Sequence, residues 1–336
     1  MAKVLVTGGS GFIATHVLKV LLQNGYNVIT TVRSSTKAEK VKEALSNVSS
    51  SRLDFRIVED MAQPGAFDQV LRTEGLEVVI HTASPFQLKV ENIKKDLLDP
   101  AIEGTNGILM AIKKNAPSVR KVVITSSFAA IVAFDNAAND SPFTYSEKNW
   151  NPITEAHALQ NPLFGYKASK TFAERAAWDF VEKEKPNFHI TTINPPIVFG
   201  PIIVNPDTLN DINTSNKSFY DLISGKSKEE VLDKVRTPWI DVRDLALAHM
   251  KAFELEGTKE KRLMVAAGLQ SKYDLVEIIK RNFPDLAANL PSLDSNKLHT
   301  DALRYDNSLS TEILGPTKFS LEQSVVDTVK SLKNLC

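Results

Sequence analysis

The sequence predicts an α/β protein built on a doubly wound parallel sheet. Two observations carry this. Short, nearly all-apolar β-branched runs alternate with longer helix-period stretches through the first 200 residues, and a glycine-rich turn joins the first run to the first helical stretch. Strands are expected at Val4–Thr7, Asn27–Val32, Phe55–Val58, Val78–His81, Val122–Thr125 and Ile190–Ile193. Their near-continuous apolar character is that of strands covered on both faces. Helices are expected between them, at Phe12–Asn24, Thr36–Ala44, Phe67–Thr73, Leu98–Asn115 and Tyr166–Lys185.

After about residue 200 the rhythm changes. "GPIIVNPDTLNDINTSN" is loop-like; then come helical stretches "KSFYDLISG" and "DVRDLALAHMKAF", a strand "RLMVAA" and a helix from Tyr273 to Asn282. Residues 1–200 read as one domain. Residues 201–336 read as a smaller mixed α/β part over the sheet's carboxyl edge, with segments such as 238–255 returning to the first domain. Ligands of open α/β sheets bind at that edge, so the site is expected between the two parts.

Bulk properties exclude several classes. The chain has 336 residues, 43% of them hydrophobic, enough for a substantial core. Its 40 basic and 40 acidic residues cancel, which points away from nucleic acid and anionic membranes. Cys336 is its one cysteine, so no internal disulfide forms, as suits a reducing compartment. "MAKVLVTGG" enters a strand directly without a signal-peptide layout, and no apolar run reaches the roughly 18 residues that span a bilayer. A cytoplasmic protein is expected.

The turn "VLVTGGSGFIA" has the spacing Gly8-x-x-Gly11-x-x-Ala14. Gly8 makes the tight turn, Gly11 lets backbone approach a pyrophosphate, and Ala14 lets the helix pack on the strand. A lone glycine pattern is weak; its strand-turn-helix context makes it specific and predicts a Rossmann-type dinucleotide site. Gly8, Gly9, Ser10, Gly11, Phe12 and Ile13 are the candidate pyrophosphate contacts, with the helix N-terminus supplying N–H groups and partial positive charge. The second strand chooses the dinucleotide. An NAD site tends to carry Asp or Glu at its end, whereas this one ends in Arg33, with Lys37 one turn on. Two cations suit a 2′-phosphate, so NADPH/NADP+ is the expected cofactor. Asp60 can accept from the adenine amino group, with Met61 beside it. In "HTASP", the backbone of Thr82, Ala83 and Ser84 is expected near the second ribose. His81, inside an apolar strand, reads as structural.

"YKASK" places Tyr166 and Lys170 at i and i+4 on one helix face. A phenol's reference pKa is about 10, and a nearby ammonium is expected to lower it. The pair therefore reads as an acid/base tuned toward working pH. "VVITSSFAA" leaves Thr125, Ser126 and Ser127 at the carboxyl edge, where a serine hydroxyl can donate to a carbonyl oxygen.

With "TGGSGFIA", "VRS", "HTASPF", "TSSFAA", "YKASK", "NPPIVFGP" and "IDVRDLALAH" in this order, the chain resembles the extended short-chain dehydrogenase/reductases, in the branch that includes dihydroflavonol reductases. Within that branch it is most similar to fungal NADPH-dependent carbonyl reductases of the methylglyoxal and 3-methylbutanal type, a likeness carried by "IHTASPF" and "NWNP". The resemblance implies Tyr166 as general acid and Lys170 as the residue that lowers its pKa and holds the nicotinamide ribose. It implies Ser127 as the catalytic serine, with Ser126 the fallback. It implies that Pro195, Ile197 and Val198 line the nicotinamide carboxamide, and that Ser215 touches the cofactor again. Ala14 departs from the family's frequent third glycine.

The expected pocket wall is apolar, with Phe86, Phe128, Phe134 and Val204 beyond strand ends. No Arg or Lys in these stretches is placed for a substrate carboxylate or phosphate. Neutral aldehydes, ketones and α-dicarbonyls are therefore expected, with broad specificity. Two other readings share the fold: a sugar-nucleotide epimerase or dehydratase, opposed by Arg33, and a non-catalytic NADP sensor, which has no need of Ser127, Tyr166 and Lys170. Ala168, Ala173, Ala176 and Ala177 permit close helix approach, as in a homodimer bundle or in packing on the sheet.

Overall fold

A computed structural model describes residues 2–48, 50–83, 90–134, 143–230, 232, 236–293 and 303–335. Its centre is a seven-stranded sheet. The strands are β1 (Lys3–Thr7), β2 (Asn27–Val32), β3 (Leu53–Ile57), β4 (Leu76–His81), β5 (Lys121–Thr125), β7 (His189–Ile193) and β10 (Arg262–Leu263). β6 (Thr144–Ser146) lies outside it. The order is β10-β7-β5-β4-β1-β2-β3, all parallel. The order reverses between β1 and β4, which makes the carboxyl end of that pair the topological switch point.

Two layers of helices cover the sheet. On one face α1 (Phe12–Gln23) places Val17, Leu18 and Leu21 toward the sheet, beside Leu245, Ala248 and Phe253 from a later helix. On the other face α4 (Asp99–Asn115) contributes Ile108, Leu109 and Ile112, and α5 (Pro162–Glu184) contributes Ala177 and Phe180. Each fully buried Val, Leu, Ile or Phe side chain among these stabilises the fold by about 1.5–3 kcal/mol. The shorter α2 (Ser35–Ala44) and α3 (Asp68–Leu71) lie in the first half of the chain. Helix α5 starts at Pro162, four residues before Tyr166. Asn161 caps it, its side chain accepting from the Phe164 N–H at 2.9 Å.

Three departures from the sequence reading have physical causes. β3 is an edge strand, with Asp54 and Arg56 outward and Ile57 exposed, so it is not covered on both faces. "RLMVAA" divides: Arg262 and Leu263 pair with β7 as the far edge of the large sheet, and the next strand, β11 (Gly268–Gln270), belongs to a small one. A π-helical turn at Lys94–Leu98 precedes α4.

The small sheet joins β8 (Ile197–Phe199), β9 (Thr237–Asp241) and β11. Around it pack α6 (Thr214–Ile223), α8 (Lys272–Asn282) and α9 (Leu321–Leu332), through Phe219, Val276, Val325 and Val329. Between these, α7 (Val242–Glu254) lies against α1 on the large sheet. β12 (Arg304–Asp306) pairs with β6. Among the described residues no helix is long and apolar enough to cross a membrane.

Candidate active site

A cleft of about 540 Å³ opens at the switch point. That is within the range of small-molecule sites, roughly 300–1,000 Å³. Its floor is the glycine turn. Gly8 has φ +72°, a left-handed value that favours glycine. A Cβ on Gly9 would fall 2.0 Å from Thr30 Oγ1. The turn is held by the Gly9 N–H on Thr31 O at 2.8 Å and the Gly8 N–H on Thr31 Oγ1 at 3.0 Å. Gly11 caps α1 without a side chain over its N–H groups, and the first turn carries no acid. Those N–H groups and the helix dipole face the cleft beside Phe12 and Ile13. Ala14, where a third glycine is frequent, is 2% exposed inside the α1 packing, so its methyl fits.

The far wall comes from the residues after β7 and from the start of α6. Pro195, Pro196 and Val198 line it, facing Asn213, Thr214 and Ser215. Ile197, on alternating register, is 40% exposed. Asn213 Oδ1 is buried there with no hydrogen-bond partner among the described residues. A backbone cradle that a Cβ would fill, an uncapped helix N-terminus and an orphaned amide oxygen together fit a dinucleotide.

Arg33 is exposed just past β2. Lys37 forms an ion pair with Asp207 at 2.8 Å, and Lys40 pairs with the same carboxylate. Asp60 is exposed. Hydrogen bonds from the Ala62 N–H and Gln63 hold its carboxyl below the usual range, with a smaller contribution from Arg33. Met61 borders a small recess with Thr105 and Lys170. Thr82 donates to Thr7 O at 2.6 Å, and the Ala83 N–H donates to Thr7 Oγ1 at 3.2 Å, next to Gly8. Ser84 and Phe86 lie outside the described residues. His81 is buried, bonded through Nδ1 to Thr7 Oγ1 at 2.9 Å, and burial brings it down to about 4. It is neutral and occupied.

The end of β5 sends three hydroxyls three ways. Thr125 meets His249 Nε2 at 2.7 Å, Ser126 donates to Glu174 at 2.5 Å, and Ser127 is hydrogen-bonded to Tyr166. Both serines line the cleft, but the Ser126 hydroxyl is engaged by Glu174 and the Ser127 hydroxyl by the tyrosine. Lys170 lies 5.8 Å from the centre of the Tyr166 ring. Both side chains are partly buried and line the cleft. Burial brings Lys170 down to about 8. It pushes the Tyr166 phenol up, against the hydrogen bond from Ser127, which pulls it down. The expectation of a lowered phenol is therefore corrected: with both groups taken out of water, the penalty on the phenolate outweighs the help it receives.

The expected substrate wall also needs correction. Phe128 is 7% exposed, in a core cluster with Ile131, Tyr145 and Met264, because its amide is anchored to Pro195 O at 2.8 Å. Phe134 stacks on His157 at 4.5 Å and meets Phe164 edge-on, so it builds packing under α5. Val204 borders a recess beside Ser10 and Phe12, at the glycine turn. The apolar lining of the cleft at the glycine turn and before α6 comes from Phe12, Ile13, Val198 and Ile212. Among the described residues lining it, the charged ones are Lys170 and Asp211.

Sequence reasoning missed a charged pair here, the buried Glu174 and the partly buried Arg262, joined at 2.6 Å behind Ser126. One signal existed: Glu174 stands eight residues after Tyr166, on the same helix face.

The chain is similar to known reductases over nearly its whole length. The chain is 42% identical to the ketoreductase azaE of Aspergillus niger over 333 residues, 98% of this chain and 97% of that one. It is 38% identical to the NADPH-dependent methylglyoxal reductase GRE2 of Saccharomyces cerevisiae over 338 residues, again 98% and 97% of the two chains. The crystal structure of Gre2 in complex with NADPH from Candida albicans superposes with a TM-score of 0.89, at 39% identity over 99% of both chains. Residues 4–267 match the profile of one family, and on that match the chain belongs to the NAD dependent epimerase/dehydratase family.

Proposed function

We propose that this protein is an NADPH-dependent carbonyl reductase that converts aldehydes, ketones or α-dicarbonyls to alcohols. One observation carries the reading: the hydrogen-bonded Ser127 and Tyr166, with Lys170 one turn on, stand in a cleft that begins at a dinucleotide-type glycine turn. The ketoreductase and methylglyoxal reductase names of full-length relatives support the same activity.

NADPH supplies the hydride. Ser127 and Tyr166 hold the substrate oxygen between their hydroxyls, where negative charge develops. Tyr166 gives that oxygen its proton. A phenol pushed up by burial is fully protonated at neutral pH, and an alkoxide is far more basic, so the transfer runs downhill. Lys170, charged below about pH 8, faces the growing negative charge and binds ribose hydroxyls. Residues 8–13, Thr82, Ala83, Pro195, Val198 and Ser215 contact the cofactor along the cleft, with the Ile197 backbone between them and Asp60 and Met61 beyond β3. Arg33 and Lys37 take the 2′-phosphate. The absence of an arginine among the described lining residues suits neutral carbonyls better than a substrate carboxylate or phosphate. The reading also places the protein in a reducing, cytoplasmic setting. Two copies associate through α4 and α5, where Met110 is 46% exposed over a groove with Ala176 and Phe180.

The test is a turnover assay. Purified protein, methylglyoxal and either NADPH or NADH are mixed, and the loss of reduced-nicotinamide absorbance is followed. NADPH oxidation well ahead of NADH is expected. No oxidation of either, across a panel of aldehydes and ketones, overturns the reading.

A further inference from the structure

Tyr166, Lys170 and Glu174 stand at i, i+4 and i+8 of α5. The third has no place in the chemistry above. Its side chain is fully withdrawn from solvent and accepts five hydrogen bonds. Oε1 takes Arg262 Nε at 2.6 Å, Thr192 Oγ1 at 3.0 Å and Trp178 Nε1 at 3.4 Å. Oε2 takes Ser126 Oγ at 2.5 Å and Asn194 Nδ2 at 2.6 Å. A buried ion pair is a poor source of stability, because the desolvation of both charges offsets their attraction. Its consequence here is geometric.

The network grips the Ser127 turn from both sides. Ser126 is the chain neighbour of Ser127, and the Asn194 amide that binds Glu174 also donates to Ser127 O at 3.2 Å. On the other side, Arg262 reaches Ala130 O at 3.4 Å and Glu147 O at 2.8 Å. Its guanidinium carbon lies 3.7 Å from the centre of the Trp150 ring. Glu174 is thus the common point between the helix that carries Tyr166 and the strand end that carries Ser127.

We propose that Glu174, held by Arg262, is the positioning residue of the active site. It sets the Ser127 hydroxyl in register with Tyr166, two turns along the same helix face. The proposal rests on the catalytic reading of Ser127 and Tyr166. A misplacement of about 1 Å can cost on the order of 100-fold in rate, so a carboxylate that touches no substrate can still govern kcat.

The experiment is steady-state reduction of methylglyoxal by the full chain, with NADPH affinity and thermal midpoint measured on the same samples. Glu174→Gln keeps the volume but turns an acceptor into a donor facing Asn194 and Arg262. Its kcat is expected to fall on the order of 10–100-fold, with KM for the carbonyl and Kd for NADPH near wild type. Ser126→Ala cuts one link and should fall less, in the same direction; it decides the matter if Glu174→Gln does not fold. Wild-type kcat in the folded variants, or losses that follow the folded fraction alone, would overturn the proposal. Tyr166→Phe serves as the control: if it keeps full turnover, the catalytic reading fails, not the positioning argument.

Discussion

The Ser127 hydroxyl and the Tyr166 phenol are hydrogen-bonded to each other across the cleft, one at the end of β5 and the other in the second turn of α5. The pair sets the first prediction. Tyr166→Phe removes the proton donor and should lower kcat about 10²–10⁴-fold, the usual worth of a general acid. Ser127→Ala removes one of two donors to the developing charge and should cost kcat by about 10²–10³-fold. Ser126→Ala should cost less than Ser127→Ala. Equal losses for the two serines would contradict the division of roles.

The second prediction concerns pH. Lys170 is brought down to about 8 by burial, and Tyr166 is pushed up by the same cause. Below about 8 the ammonium is charged and the phenol protonated, the pairing that reduction needs. As pH rises through about 8 the lysine loses its charge first. The reduction rate at saturating NADPH should be level from neutrality to that point and decline above it, while Lys170→Met should show no such limb. A rate that climbs through pH 8 to 9 would count against the assignment.

The legibility of this molecule in its sequence follows the reach of each interaction. β1, β2, β4, β5 and β7 were readable to within two residues, because strands covered on both faces must be continuously apolar. The glycine turn and the Tyr166–Lys170 pair were readable because backbone geometry and helical spacing are local. β9 was not: its five residues include Pro238, and its partners in β8 and β11 are supplied by distant chain. The Glu174–Arg262 contact spans 88 residues and has no local signature. Phe128 was misjudged for a related reason. Its position past a strand end was plain, but the bond from its amide to Pro195 O that sets its environment was not.

The third prediction joins Arg33, Lys37 and Asp207. Arg33 is expected to bind the 2′-phosphate with charge-assisted bonds, about 1.5–3 kcal/mol, so Arg33→Ala should weaken NADPH binding roughly 10–100-fold and leave NADH nearly unchanged. Asp207 occupies Lys37 and Lys40 at the same end of the cleft, and a 2′-phosphate must compete with that carboxylate. Exposed pairs of this kind contribute about 0–1 kcal/mol, so Asp207→Asn should tighten NADPH by up to about fivefold. Titration of each variant with both dinucleotides at fixed salt measures this. An NADPH affinity indifferent to all three side chains would remove the 2′-phosphate argument.

The fourth prediction is acid unfolding led by histidine. His16, His81 and His249 are each at most 4% exposed, and burial is the first cause bringing each down to about 4. Their rings are engaged while neutral, with Pro201 O at 2.8 Å, Thr7 Oγ1 at 2.9 Å, and Thr125 Oγ1 at 2.7 Å with Leu245 O at 2.8 Å. The unfolded chain binds protons at these rings near pH 6.5, the folded chain only near 4. Folded values below unfolded ones mean a contribution to stability present above about 6.5 and lost as pH falls toward 4. Each ring is worth on the order of 3 kcal/mol across that window. Domains are stable by only about 5–15 kcal/mol, so three such rings make up a large share of the total. Urea titrations followed by tryptophan fluorescence should show stability falling steadily from pH 6.5 to 4. His249→Gln should flatten that slope while lowering stability at neutral pH. A stability that stays level down to pH 4.5 would mean that the three rings remain protonatable in place, against the burial and bonding that surround them.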